Sequence, residues 1–239
     1  MCIRDSSNTS NVVFVVVENP RETLARCAAL WFEQQPAQIV AVTGTNGKTS
    51  VASFCQQIWS SLDIEAVSIG TNGVCGAWTQ SLRHTTPDAL EMHQLLFNLK
   101  ANGIDHVALE ASSHGLDQSR LDGVQFSGAC FTNFSQDHLD YHKSKDDYFE
   151  AKALLFRQLL TSDKTAVFNV NNNRIKLLAE ELKSQGNLVV TLGKSKGSNI
   201  QLKRQTFDSS GQEVFFKYDG ILYQKRLKHF LKTKQPFLS

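Results

Sequence analysis

Along most of this chain, short uninterrupted apolar runs alternate with stretches of helical period. Ile39 to Val42 has no polar interruption, as expected of a strand buried on both faces, and a glycine-rich loop and a helix over Thr49 to Leu62 follow it. Ala66 to Gly70, His106 to Glu110, Gly128 to Thr132, Thr165 to Val170 and Leu188 to Leu192 repeat the strand pattern. Helical spacing predicts helices over Asp88 to Asn102, Asp146 to Leu160 and Asn172 to Ser184. Pro87 precedes the first of these, Asp88 is placed to cap it, and Gly103 stands just past its end. Such alternation predicts an α/β domain, doubly wound about a mainly parallel sheet.

After Leu192 the pattern changes. Asn199 to Phe207, Glu213 to Tyr218 and Ile221 to Arg226 read as an antiparallel meander, with turn signals at Ser209-Ser210-Gly211 and Asp219-Gly220, and predict a small β lobe packed on the sheet. The apolar run Val12 to Val17 reads as a further strand, being only six residues and far below the roughly 20 that span a bilayer. The polar, patternless Met1 to Ser10 and the abrupt stop at Ser239 are expected of a fragment.

Composition narrows the partners more than the fold. With 41% hydrophobic and 20% charged residues, the 239-residue chain is ordinary for a globular protein. A net charge of +2 is too small to argue for nucleic acid or an anionic membrane, and a small-molecule partner is the simplest expectation. Five scattered cysteines, without a C-x-x-C pair, point to buried, reduced thiols in a cytoplasm.

Thr43-Gly44-Thr45-Asn46-Gly47-Lys48-Thr49 lies between a strand and a helix, where backbone N–H groups and the helix dipole favour phosphate. Lys48 is placed for β/γ-phosphates and Thr49 for Mg²⁺, although Val42 stands where the general phosphate loop has its first glycine. Glu110 is the first charge after Val107-Ala108-Leu109, at the carboxyl end of a buried strand, where open α/β sheets place ligands. It is either a Mg²⁺ ligand or a solvated strand end. Phe131 to His142 gathers Asp137, His138, Asp140 and His142 in a spacing that fits no zinc template. Tyr148, Lys152, Leu155, Phe156 and Leu159 share one helical stripe, so a lysine is threaded into an apolar face. Either it snorkels to solvent, or burial favours a neutral amine that can capture CO₂ as a metal-binding carbamate. The polar loops His84 to Pro87 and Ser112 to Arg120 suit a substrate carrying carboxylate or phosphate groups.

Together, T-G-T-N-G-K-T, H-T-T-P, E-A-S-S-H-G-L-D-Q-S-R, F-T-N-F-S-Q-D-H-L-D-Y-H and Y-F-E-A-K resemble the Mur ligases, in the family's order from about Asn19 to Asn173. The likeness is nearest to the branch that adds the third residue of the peptidoglycan stem peptide. Its short phosphate loop accounts for Val42. The resemblance implies a cytoplasmic, monomeric enzyme that makes an amide from a UDP-muramoyl dipeptide and an amino acid, diaminopimelate before lysine, through an acyl phosphate. It implies ATP on Gly44, Thr45, Asn46, Gly47, Lys48, Thr49 and Ser50, with Lys48 stabilising the transferring group and Thr49 on Mg²⁺. It implies a second Mg²⁺ on Glu110 and His138, supported by a carbamate on Lys152, and the dipeptide on His84, Thr85, Thr86, Ser112, Gln118 and Arg120. Residues 1–36 are then the remnant of an N-terminal UDP-binding domain and 37–239 the central ATPase domain, without the C-terminal one. Departures are His84 in place of a common asparagine, and Asn169-Val170-Asn171-Asn172 in place of Asn-x-Asp-Asp. Phe230 also stands without its neighbouring glycine and asparagine. Folylpolyglutamate and cyanophycin synthetases, or a nucleotide-binding module without catalysis, are the alternatives.

Overall fold

The structure, a computed structural model, describes residues 15–135 and 141–228. After α1 (Pro20–Phe32), the chain enters β1 (Gln38–Thr43) and passes through α2 (Lys48–Ser60) to β2 (Ala66–Gly70). A hairpin to β3 (Gly73–Gly76) forms one edge of the sheet, and α3 (Ala89–Ala101) leads back to β4 (His106–Glu110). The short α4 (Ser113–Asp117) crosses to β5 (Gly128–Phe131), and α5 (Lys145–Leu154), β6 (Thr165–Asn169), α6 (Asn173–Ser184) and β7 (Leu188–Gly193) continue outward. The meander is β8 (Ile200–Asp208), β9 (Gly211–Tyr218) and β10 (Ile221–Lys228). All ten strands form one sheet in the order β10-β9-β8-β7-β6-β5-β1-β4-β2-β3.

β1 pairs in parallel with β4 on one side and β5 on the other, so the chain reverses its winding direction around β1. Ligands of open α/β sheets bind at the carboxyl ends of strands at such a switch point. Both faces of this region are buried: Ile39 and Ala41 pack into the large core with Leu96, Leu109 and Phe131, while Val42 and Ala108 pack against Ala52 of α2. The absence of alternation in the sequence of β1 follows from this two-sided burial.

Helix starts follow local chemistry. Asn19, Asp88, Ser112, Ser144 and Asn172 each accept a backbone N–H of the first turn from the N-cap position of α1, α3, α4, α5 and α6. α1 carries no apolar stripe strong enough to predict it, but Asn19, Pro20 at N1 and Glu22 form a start signal, and Ala25 and Ala28 bury its inner face. The helix predicted through Leu160 changes at Leu155 into a π turn, Leu155–Leu159.

The meander forms the small antiparallel lobe expected from the sequence and joins the sheet at its edge, through Leu192↔Ile200 and Gly193↔Gln201. Two expectations need correction. Val12 to Phe14 lie outside the described residues, and Val15 to Val17 form no strand: Val15 and Val16 are 75% and 96% exposed and pair with no strand among the described residues. Cys27 is exposed and Cys55, Cys75 and Cys130 are half-buried, rather than all buried. Cys2 lies outside the described residues. No helix among the described residues is long and apolar enough to cross a membrane.

Candidate functional site

The register of the sheet assembles the site. Val42 lies opposite Glu110 of β4, and Thr43 opposite Phe131 of β5, so the loop leaving β1 is flanked by the ends of both neighbours. Gly44 is buried beneath that loop with φ +141, and a Cβ there would stand 2.0 Å from Thr132 Oγ1. The segment after β5 clasps the loop: Asn46 N–H donates to Asn133 Oδ1 (2.9 Å), while Asn133 Nδ2 (2.8 Å) and Thr132 Oγ1 (2.7 Å) donate to Asn46 O. Thr45 N–H donates to Asn133 O at 2.9 Å, and Ser135 N–H to Thr45 Oγ1 at 3.0 Å.

Gly47, with φ +81, starts α2 without a side-chain cap, unlike the side-chain caps that start the other α-helices described above. The first-turn N–H groups of α2 are thereby left to an outside acceptor, the arrangement that binds phosphate. Lys48 Nζ donates to Gly44 O (2.9 Å) and Thr45 O (3.0 Å), holding its ammonium at the loop.

Lys152 Nζ donates to the same Gly44 oxygen at 3.0 Å and lies 4.4 Å from the centre of the Tyr148 ring. The residue is 1% exposed, so the snorkelling reading is overturned: α5 turns this face inward with Tyr148, and no path along the surface is left. Two lysine amines therefore converge on one carbonyl oxygen.

Glu110 is 1% exposed, which removes the reading of a solvated strand end. Its Oε1 accepts Thr71 N–H at 2.9 Å, and its backbone oxygen accepts the Thr86 hydroxyl at 2.8 Å. Ser112 N–H donates to that hydroxyl at 3.0 Å, so buried Thr86 pins the start of α4 to the end of β4. Arg120 is held by Gln118 Oε1, which accepts from Nε (3.1 Å) and Nη2 (2.6 Å), and by Thr86 O, which accepts from Nη1 (2.7 Å).

These elements line one cleft of 630 Å³. It brings together Thr45, Asn46, Gly47, Lys48 and Thr49 of the loop with Glu110 and Lys152. His84, Thr85, Thr86, Ser112 and Arg120 form its other wall. Gly44, Ser50 and Gln118 do not line it; Gly44 is buried, Gln118 acts on Arg120, and Ser50 is exposed on α2. His138, Asp137 and Asp140 lie outside the described residues, as does Phe230. Thr71, which sequence reasoning missed, also lines the cleft, as do Ser113 and His114, which lie within the loop Ser112 to Arg120 but were not named individually. Ser113 is 2% exposed and its Oγ has no hydrogen-bond partner among the described residues. The departure at Asn171-Asn172 has a structural use: Asn171 Oδ1 accepts Lys194 N–H, and the Asn172 amide caps α6 while donating to Phe134 O at 3.0 Å. An aspartate at 172 has no N–H for the second contact.

Among the described residues no three His, Cys, Asp or Glu side chains come together. A buried carboxylate and a threonine hydroxyl beside a phosphate loop offer oxygen donors, which a hard cation such as Mg²⁺ prefers.

Fold and site define a phosphate-loop nucleotide-binding α/β domain. Residues 42–230 match the Mur ligase middle domain, and the chain belongs to the Mur ligase family. A UDP-N-acetylmuramoyl-L-alanyl-D-glutamate--2,6-diaminopimelate ligase of Caulobacter vibrioides is 42% identical over 217 residues, covering 88% of this chain and 44% of the relative. The ligase of that name from Brucella melitensis is 44% identical over 199 residues, covering 83% and 41%. A solved structure of a ligase of that name superposes with a TM-score of 0.78 at 29% identity, over 88% of this chain and 44% of the other. The MurF ligase of Thermotoga maritima shares the fold at a TM-score of 0.65 and 16% identity, over 94% and 48%. The chain thus spans less than half the length of these relatives.

Proposed function

We propose that this chain is the ATP-using centre of a cytoplasmic ligase that joins diaminopimelate to a UDP-N-acetylmuramoyl-L-alanyl-D-glutamate substrate. The observation that carries the reading is the meeting, in one cleft, of an uncapped helix start behind a phosphate loop with buried Glu110 and Lys152 and half-buried Arg120. The N–H groups at the start of α2 and the Lys48 ammonium hold the β- and γ-phosphates. Arg120, fixed in orientation by Gln118, faces the acid substrate. A carboxylate oxygen of the substrate attacks the γ-phosphorus and ADP leaves. The amino acid's amine then attacks the acyl phosphate, inorganic phosphate departs, and the amine loses a proton. Mg²⁺ on Thr49 and Glu110 would supply charge neutralisation between the two anions.

The carbamate is a finer part of the same proposal. Burial and the nearby Lys48 ammonium, bonded to the same Gly44 oxygen, disfavour a second cation at Lys152, while the Tyr148 ring face favours one. A neutral Lys152 amine adds CO₂ and releases a proton; the anion formed then faces the Lys48 cation. Mass spectrometry under native conditions, with and without bicarbonate, reads the added mass, and its absence in both sinks the carbamate.

For the reaction, ATP binding is measured on the chain itself, and amide product on a chimaera in which it replaces the matching segment of the Caulobacter ligase. Expected are ATP binding that Lys48→Met weakens and a tripeptide product formed with diaminopimelate. Product with a glutamate-tailed folate in place of the muramoyl dipeptide would overturn the substrate assignment. ATP binding without any amide would leave only a nucleotide-binding module.

A further inference from the structure

Glu110 reaches its buried position through a gap left by one residue. The β2–β4 register runs from Ala66↔His106 to Ile69↔Leu109, so Gly70, next along, lies beside Glu110. A Cβ on Gly70 would stand 1.9 Å from Glu110 Oε1, 2.4 Å from its carboxyl carbon and 2.6 Å from Cγ. The carboxylate occupies the volume where a side chain at 70 would be. Gly70 is not one of the glycines with positive φ, so it is required here for space and not for backbone conformation.

The neighbouring hairpin completes the arrangement. Gly70 pairs with Gly73 across the two-residue tip Thr71-Asn72. The tip is fixed from behind: Gly73, with φ +83, passes so close to Gln80 O that a Cβ would stand 2.4 Å from it, and Val74 bridges to Gln80. From this tip Thr71 N–H binds Glu110 Oε1 at 2.9 Å. Among the described residues Oε2 has only the Thr71 hydroxyl, at 3.5 Å, and that hydroxyl is nearer to Thr85 Oγ1 at 3.2 Å. The two oxygens of Glu110 are thereby made unequal, one engaged by an amide and the other by a long hydroxyl contact.

We propose that Gly70 and the Thr71 amide form a seat that fixes which oxygen of Glu110 meets a divalent cation, which makes Gly70 a positioning residue for that cation. The proposal rests on the reading of the cleft as a Mg²⁺·ATP site. Outer-shell partners of metal ligands typically govern affinity by about 10- to 100-fold, and a hairpin tip that orients a carboxylate is such a partner.

The test is a Mn²⁺ titration of the chain by electron paramagnetic resonance, with and without ATP, alongside metal-free ATP binding and circular dichroism. Wild type binds Mn²⁺ in the presence of ATP, and Glu110→Gln weakens it. Gly70→Ala weakens Mn²⁺ about tenfold or more while metal-free ATP binding is unchanged. In the Glu110→Ala background, where Cγ and the carboxylate are both gone from the gap, Gly70→Ala causes no further loss. Absence of Mn²⁺ binding in the wild type, or an unaffected Glu110→Gln, brings down the reading of the cleft and the seat with it. A weakened Glu110→Gln beside a wild-type-like Gly70→Ala brings down the seat alone. Should Gly70→Ala fail to fold, the double variant decides. Folding, metal-free ATP binding and residual Mn²⁺ binding equal to those of Glu110→Ala support the seat; unfolding in both backgrounds overturns it.

Discussion

The two halves of the sheet are stabilised by different means. From β2 to β6 the parallel strands are covered on both faces, and Phe131, Phe168 and Leu109 are fully buried. From β8 to β10 the antiparallel strands leave Phe207, Tyr218, Ile221, Leu222 and Leu227 at least half exposed, and stability comes from backbone ladders and pairs such as Phe216 stacked on Tyr223. In the first half, loops at strand ends inherit fixed positions from the core beneath them, and the cleft is found there. In the second, a register without a buried face fixes little beyond the strands themselves.

The largest contrast is expected in packing. Phe131→Ala, which empties the stack with Phe149 and Phe156, should cost about 3–5 kcal/mol in urea unfolding. Phe216→Ala should cost about 1 kcal/mol or less, since its cross-strand contact is half-buried. Equal losses would show that the lobe has a core of its own.

Glycines sharpen the same contrast. Gly44→Ala meets both a left-handed φ and Thr132 at 2.0 Å, so a loss of about 2–3 kcal/mol is expected, together with weaker ATP binding. At Gly220, φ is +79 but nothing lies within 4 Å, so Gly220→Ala should cost about 1 kcal/mol and leave ATP binding alone.

Smaller effects belong to the ion pairs. Arg157 joins Glu150 and Glu181, tying the end of α5 to α6, and its guanidinium holds the Glu181 carboxyl below the usual range. With these groups partly exposed and screened by solvent, Arg157→Ala should cost no more than about 1 kcal/mol and less in high salt. Arg226→Ala in the lobe should leave the melting temperature unchanged, because Arg226 and Asp208 are surface groups.

The smallest expected effect is a titration. Burial holds the His93 imidazole below its ordinary 6.5, with the Asp122 carbonyl accepting from Nε2 and opposing that shift. The unfolded chain binds the proton first, so stability is full above pH 6.5 and declines as pH falls through the folded value. His93→Gln should flatten the melting temperature between pH 7.5 and 5.5; an unchanged slope would assign it to other groups.

Much of the parallel half was legible because one signal dominated at each place. Two-sided burial makes Ile39 to Val42 uniformly apolar, and Asp88 announces a helix by capping it. The loop and Glu110 were legible as a glycine turn and a lone charge at strand ends. Gly70 and Thr71 were not, because what they do is set by a partner 40 and 39 positions away and only the β2–β4 register brings them together. α1 was missed although Asn19, Pro20 and Glu22 mark its start, since Leu24, Leu30 and Trp31 face solvent and blur its apolar stripe. The π turn depends on an added residue per turn that periodicity does not reveal.

The clasp between Asn46 and Asn133 bears on the order of folding. Its bonds join residues 87 apart, so the loop closes only after β2, β3, β4 and β5 have been threaded into place. Contacts of such separation form late, because a long chain must first be brought together. A nascent chain displaying T-G-T-N-G-K-T but not yet F-T-N-F-S has the signature without the cradle. Competence to hold phosphate should therefore emerge during synthesis as a late event, reporting that the switch point has closed.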